Sequence, residues 1–158
     1  MRFLLVDRVT ELTPHRSITA IKNLSLAEEY LADHFPGFPV MPGVLMLETL
    51  VQAGAWLIRH SEQFAPSTIL LKEAKALKFN SFVSPGKTLT VNLVVKKHEG
   101  RWWELQGAGT IEGESAVSAR LKLEAFNLAE RNAELASSDE LRRQTAREIW
   151  GQIWTAPA

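Results

Sequence analysis

Gly43-Val44-Leu45-Met46-Leu47-Glu48-Thr49-Leu50-Val51-Gln52-Ala53-Gly54-Ala55-Trp56-Leu57-Ile58 is the longest apolar stretch in the chain, and its reading decides the fold. It is shorter than the roughly 20 residues that a bilayer requires, and Glu48 and Gln52 interrupt it, so it is not a membrane span. Read as a helix over residues 43–60, it is apolar on nearly every side and must be covered all round, at the centre of a domain. Such a helix is about 25 Å long, a fair match to the width of a sheet wrapped around it.

The sheet is legible downstream. Residues 69–79, 88–97, 101–112 and 115–125 have strand character, and the separators Ser84-Pro85-Gly86-Lys87, His98-Glu99-Gly100 and Glu112-Gly113-Glu114 are short and turn-like. Short separators join antiparallel neighbours. Upstream, residues 3–9 and 17–22 read as extended segments joined by a turn at Pro14-His15-Arg16, the second alternating polar and apolar. Ser25-Leu26-Ala27-Glu28 has capping-box spacing and predicts a short helix to about Ala32. The fold class is α+β: an antiparallel sheet of about five or six strands packed around one long central helix.

With 158 residues, one domain suffices, able to bury roughly two thirds of the surface its unfolded form exposes. The formal net charge is zero, so no overall basic field points to nucleic acid or an anionic membrane. There is no cysteine, which excludes disulfides and thiolate metal sites. The apolar run at the N-terminus is too short for a signal peptide, so the expected location is cytoplasmic.

Chemistry concentrates just before and within the central helix. His34 lies in a loop stiffened by Pro36, Gly37, Pro39, Pro42 and Gly43, which restrict the backbone enough to hold a side chain in fixed geometry. Pro42 fits the first helical position, leaving the amides of Gly43 and Val44 without intrahelical partners. Glu48 in an apolar helix must be neutral, paired or facing a wet cavity, and Gln52, one turn on, can hydrogen-bond it. A general base, an acid and free amides at a helix start are the parts needed to abstract a proton next to a carbonyl.

His34-Phe35-Pro36-Gly37-x-Pro39-Val40-Met41-Pro42-Gly43-Val44-Leu45, with Glu48 and Gln52 following, resembles the active-site signature of the β-hydroxyacyl-[acyl-carrier-protein] dehydratases of the FabZ type. Leu5-Val6-Asp7-Arg8-Val9, Ala20-Ile21-Lys22-Asn23 and Val83-x-Pro85-Gly86 extend the resemblance over residues 3–126. It implies the hot-dog fold, a sheet wrapped around a long helix. It also implies dehydration of β-hydroxyacyl thioesters to trans-2-enoyl thioesters. In the implied roles His34 takes the α-proton, Glu48 handles the departing hydroxyl and the Gly43 amide polarises the thioester carbonyl. Pro42, Val44, Phe38 and Gln52 are expected to line or orient the site.

The implied partners are acyl carrier protein, or coenzyme A as thioester carrier, and a second copy of the chain. His34 of one subunit meets Glu48 of the other in a homodimer, with a hexamer of three dimers as a further assembly. No metal or organic cofactor is implied. Phe38 stands where many relatives have a second histidine, and the basic stretch expected to meet the carrier protein is reduced to Lys72, Lys75 and Lys78. A hot-dog thioesterase, an enoyl-coenzyme A hydratase and a non-catalytic acyl-binding module are the alternatives.

Residues 127–158 read as a helical extension to a dehydratase-like domain of residues 1–126. Ser137-Ser138-Asp139-Glu140 has capping-box spacing, and Ala146, Ile149, Trp150, Ile153 and Trp154 form a stripe at helical spacing expected to pack on the chain's own sheet or dimer. His15, His60 and His98 carry no site expectation.

Overall fold

The computed structural model describes residues 3–158. Six antiparallel strands, β1 (Arg8–Thr13), β2 (Ser17–Asn23), β3 (Thr68–Phe79), β4 (Thr88–Glu99), β5 (Trp102–Ile111) and β6 (Glu114–Phe126), form one sheet in the order β1-β2-β4-β5-β6-β3. The helix α1 (Gly43–Ser61) lies in its concave face, and α2 (Ala136–Ile153) packs outside α1. No described helix is long and apolar enough to cross a membrane.

Alternation builds the sheet face that receives α1. Along β5, Trp103, Leu105, Gly107, Gly109 and Ile111 point inward and are buried, while Trp102, Glu104 and Ala108 point out. Leu50, Leu57 and Ile58 of α1 are fully enclosed, each contributing about 1.5–3 kcal/mol of burial. Gly54 is required by the close approach of helix to sheet: a Cβ there would lie 3.2–3.3 Å from Leu123, Leu105 and Leu93.

Three local expectations are corrected. The segment expected to extend over residues 3–9 enters the sheet only at Arg8; before that, Leu5 and Val6 are buried and the backbone is fastened to α1 through Gln52. Ser25 and Glu28 do not form a capping box: Ser25 Oγ accepts from the Ala27 amide, and the Glu28 carboxylate takes the Lys22 ammonium at 2.7 Å. Lys22 is only 4% exposed, so this nearly buried charge needs that carboxylate and outcompetes the local cap. Only a short 3-10 helix, Glu29–Ala32, follows.

The third correction concerns the tail. α2 begins at Ala136, one residue before the expected cap, and the Asp139 carboxylate turns away from its own helix. It accepts from the Leu128 amide at 2.8 Å, the Ala129 amide at 2.9 Å and the Ser67 hydroxyl. Burial alone would raise the Asp139 carboxyl, but the Ser67 and backbone hydrogen bonds outweigh it and hold it below the ordinary range. The capping box of this region belongs to Asn127 and Glu130. Beyond it the tryptophan stripe is covered, chiefly by α1: Trp150 stacks on Trp56 at 5.7 Å and lies against His60, Phe64 and Trp154.

Candidate active site

The loop before α1 is tied at both ends. The Phe38 amide donates to the Phe35 carbonyl at 2.7 Å across Pro36-Gly37, and the Met41 amide donates to the Val83 carbonyl at 2.8 Å. Val83 itself is held by the turn after it, where Gly86 adopts φ +88° and its amide donates to the Leu24 carbonyl at 2.8 Å. The Val-x-Pro-Gly motif therefore supports the histidine loop from below.

His34 Nδ1 lies 2.9 Å from the Val40 carbonyl. A carbonyl only accepts, so Nδ1 carries the proton, and the Nε2 lone pair of the neutral ring is left for chemistry. Val40 is 1% exposed, which makes it a rigid anchor for the ring. Phe35, at φ +51°, packs its ring edge-on against the imidazole, 4.4 Å between centroids.

Pro42 caps α1 from one residue further out than the sequence suggested, and the helix starts at Gly43. The Pro42 carbonyl accepts from Leu45 and Met46, while the amides of Gly43 and Val44 have no backbone partner among the described residues. Gly43 lines a cavity of about 490 Å³ together with His34, Met46, Phe79 and Phe82. A Cβ on Gly43 would come within 3.1 Å of the Phe79 ring, so only glycine permits this approach without displacing it. Val44 and Phe38 are exposed, and Phe38 meets Phe82 edge-on at the rim.

Glu48 and Gln52 sit on another side of the molecule. Gln52 Nε2 donates to Glu48 Oε1 at 3.1 Å and to the Phe3 carbonyl at 3.1 Å, while its Oε1 accepts from the Leu5 amide at 2.9 Å. Both residues line a second cavity of about 710 Å³ between α1 and α2. A single chain thus brings Gly43 to His34, and Gln52 to Glu48, but lines different cavities with the histidine and the acid.

The three lysines lie along β3 with unequal freedom. Lys72 binds the buried Glu124 carboxylate at 2.9 Å, and Lys75 is 3.2 Å from Glu73. Lys72 is the chief cause that holds Glu124 below the ordinary carboxyl range, against its burial, with help from Arg101 and Arg131. Lys78 has no carboxylate partner among the described residues. His98 stacks on Trp103 at 3.6 Å with its Nε2 on the Gly100 carbonyl, and His60 covers Trp150.

Sequence reasoning missed Arg59. It falls on the helical face of Glu48, Gln52 and Ala55 and lines the second cavity with Arg142 of α2. The signal was present as an arginine at that spacing in an apolar helix, although a cation in a last turn also suits the helix dipole.

A sheet wrapped around one long helix, with a histidine loop at the helix start and an acid within the helix, is the architecture of a hot-dog protein. The dehydratase heterocomplex ApeI:P from Xenorhabdus doucetiae has the same fold at a TM-score of 0.67 and 17% identity, covering 84% of this chain and 90% of that one. Residues 1–120 match the family described as FabA-like domain, and the chain belongs to that family. Among its relatives are proteins named 3-hydroxyacyl-[acyl-carrier-protein] dehydratase FabZ. That of Myxococcus xanthus is 44% identical, over 70% of this chain and 74% of the relative. That of Oenococcus oeni is 42% identical, over 75% and 85%.

Proposed function

We propose that His34 and Glu48, supplied by two copies of the chain, dehydrate a 3-hydroxyacyl thioester carried on acyl carrier protein. The reaction class, dehydration of a 3-hydroxyacyl-[acyl-carrier-protein], is that named for the FabZ relatives, and we assign it to fatty-acid synthesis. The observation that carries the division of roles is the His34–Val40 hydrogen bond, which leaves Nε2 as a fixed base beside the free Gly43 amide.

With the thioester carbonyl on the Gly43 amide, negative charge developing on its oxygen meets an N–H dipole already in place. His34 Nε2 takes the C2 proton, the C3–O bond breaks, and the hydroxyl leaves as water with a proton from Glu48. The product is the trans-2-enoyl thioester. Gln52 holds the Glu48 carboxyl, while Pro42 ends the loop so that the Gly43 and Val44 amides stay free; Val44 and Phe38 line the entrance.

A second copy is supported by the edge of the sheet. Among the described residues β3 pairs only with β6, and its other edge is open over a 12-residue strand with Leu77 and Phe79 exposed. Long uncovered edges of this kind invite pairing with another chain. Pairing two copies there is our route to joining His34 and Glu48; a hexamer of three such dimers is the larger assembly compatible with it. For the carrier protein, Lys78 is the most available member of the Lys72, Lys75 and Lys78 row, since the other two already face carboxylates. We place the reaction in the cytoplasm, compatible with a chain free of cysteine, and treat residues 127–158 as an extension of a hot-dog domain of residues 1–126.

The test is turnover of a 3-hydroxyacyl carrier-protein thioester by the purified protein and by His34→Ala, with enoyl product followed. Loss of a positioned base lowers the rate about 10²- to 10⁴-fold. Wild-type turnover in His34→Ala would remove His34 from the mechanism.

A further inference from the structure

The cavity between α1 and α2 has a chemical asymmetry that dehydration does not require. At one end are Glu48 and Gln52; along its walls are Val51, Ala55, Leu141 and Ile149; further along α1 is Arg59, and from α2 comes Arg142. Arg59 lies eleven residues beyond Glu48, about 16 Å along the helix.

Arg59 is held, but not neutralised. Its guanidinium lies over the Trp56 ring, 5.0 Å from the centroid, and its enclosed Nε has no hydrogen-bond partner among the described residues. Neither Arg59 nor Arg142 has a carboxylate within ion-pair distance among the described residues, whereas the other α2 arginines, Arg143 and Arg147, each reach Glu140. Burial, and then the Arg142 charge, pull Arg59 down to about 10. Two cations face each other across a largely apolar cavity, an arrangement that an anion between them would relieve.

We propose that this cavity receives the far part of the acyl chain and that Arg59 and Arg142 bind an acidic group at its end, selecting 3-hydroxyacyl thioesters with a terminal carboxylate. The inference rests on the role given above to Glu48, which places C3 at the cavity's near end and sends the remaining carbons along its apolar walls. Arginine suits the task because its planar fork pairs with a carboxylate through two N–H donors. The α2 extension acts as a specificity element: it contributes one of the two cations and a wall of the chain pocket.

The test compares carrier-protein thioesters of equal length ending in a carboxylate or a methyl group, in wild type, Arg59→Met and Arg142→Gln. A parallel calorimetric titration uses saturated thioesters of both kinds, which have no 3-hydroxyl and cannot react. The wild type is expected to favour the acid-ended chain, and each variant to lose about 10- to 100-fold in kcat/KM on that chain alone, the scale of a lost charge-assisted hydrogen bond. Arg142 is exposed, so its replacement reports even where Arg59→Met folds poorly. Equal turnover of both chains by wild type, or equal losses on both in Arg142→Gln, overturns the proposal. The latter is the result expected where a second copy of the chain already neutralises the arginines. An acid preference in the titration without turnover of any thioester would instead overturn the dehydratase reading and leave the anion site standing.

Discussion

Replacing Gln52 with methionine, similar in length but without the amide, removes three hydrogen bonds at once. Two are partly buried, to the Leu5 amide and to Glu48, and one is exposed, to the Phe3 carbonyl. The partly buried pair contributes about 1 kcal/mol each, the exposed one a few tenths, and the orphaned Leu5 amide adds up to about 1 kcal/mol. Stability should fall by about 2–3 kcal/mol, read by urea denaturation at an unchanged m-value. Because Gln52 also fixes Glu48, kcat should drop about 10- to 100-fold under conditions where the variant remains folded, the scale of an acid displaced by roughly an ångström. KM should change much less, since the lost contact acts on the transition state. A stable variant would refute the hydrogen-bond reading of the N-terminal segment. A destabilised variant with wild-type kcat would show that Gln52 fastens residues 3–5 and does nothing for Glu48.

Two further outcomes are expected. The Asp139 carboxyl is held below its ordinary range, so its contribution is complete above the unfolded value of about 3.9 and is lost as pH falls through the lower folded value. On acidification the Trp56–Trp150 stack should therefore loosen through that window, and tryptophan fluorescence of Asp139→Asn should show the loosened state already near neutrality; coincident curves for wild type and variant would contradict this. Lys78→Glu should raise KM for the carrier-protein substrate about 10-fold while leaving a small pantetheine thioester unaffected, because it alters charge complementarity with an acidic partner and not the chemistry; equal effects on both substrates would remove Lys78 from the docking surface.

The central helix was legible because its signals agree: Pro42 before it, then a long, largely apolar run; the structure ends it just before the left-handed residues Gln63 and Phe64. The strands β3 to β6 were legible because three turn-like separators divided them, and Gly86, Gly100 and Gly113 all adopt the positive φ such turns require. Local pattern failed where a distant group claimed the side chain. Glu28 left its cap for Lys22; in the tail Asp139, inside the expected box, ties Leu128, Ala129 and Ser67, while the box's own Glu140 pairs with Arg143.

At the site, the histidine loop, the free Gly43 amide and the Glu48–Gln52 pair could be read from spacing, because each depends on neighbours within one turn or one loop. The anchoring of Gln52 by Phe3 and Leu5 and the cavity shared by Arg59 and Arg142 could not. They join segments 47–49 and 83 residues apart, which periodicity does not relate.

One measurement reaches the claim that two chains build each site. Inactive His34→Ala and Glu48→Gln proteins are mixed, unfolded and refolded together, and assayed for dehydration. If each site takes His34 from one subunit and Glu48 from the other, a mixed dimer has one site with both residues intact, and random pairing restores about a quarter of wild-type activity. If each chain completes its own site, every site carries a defect and the mixture stays as inactive as its components.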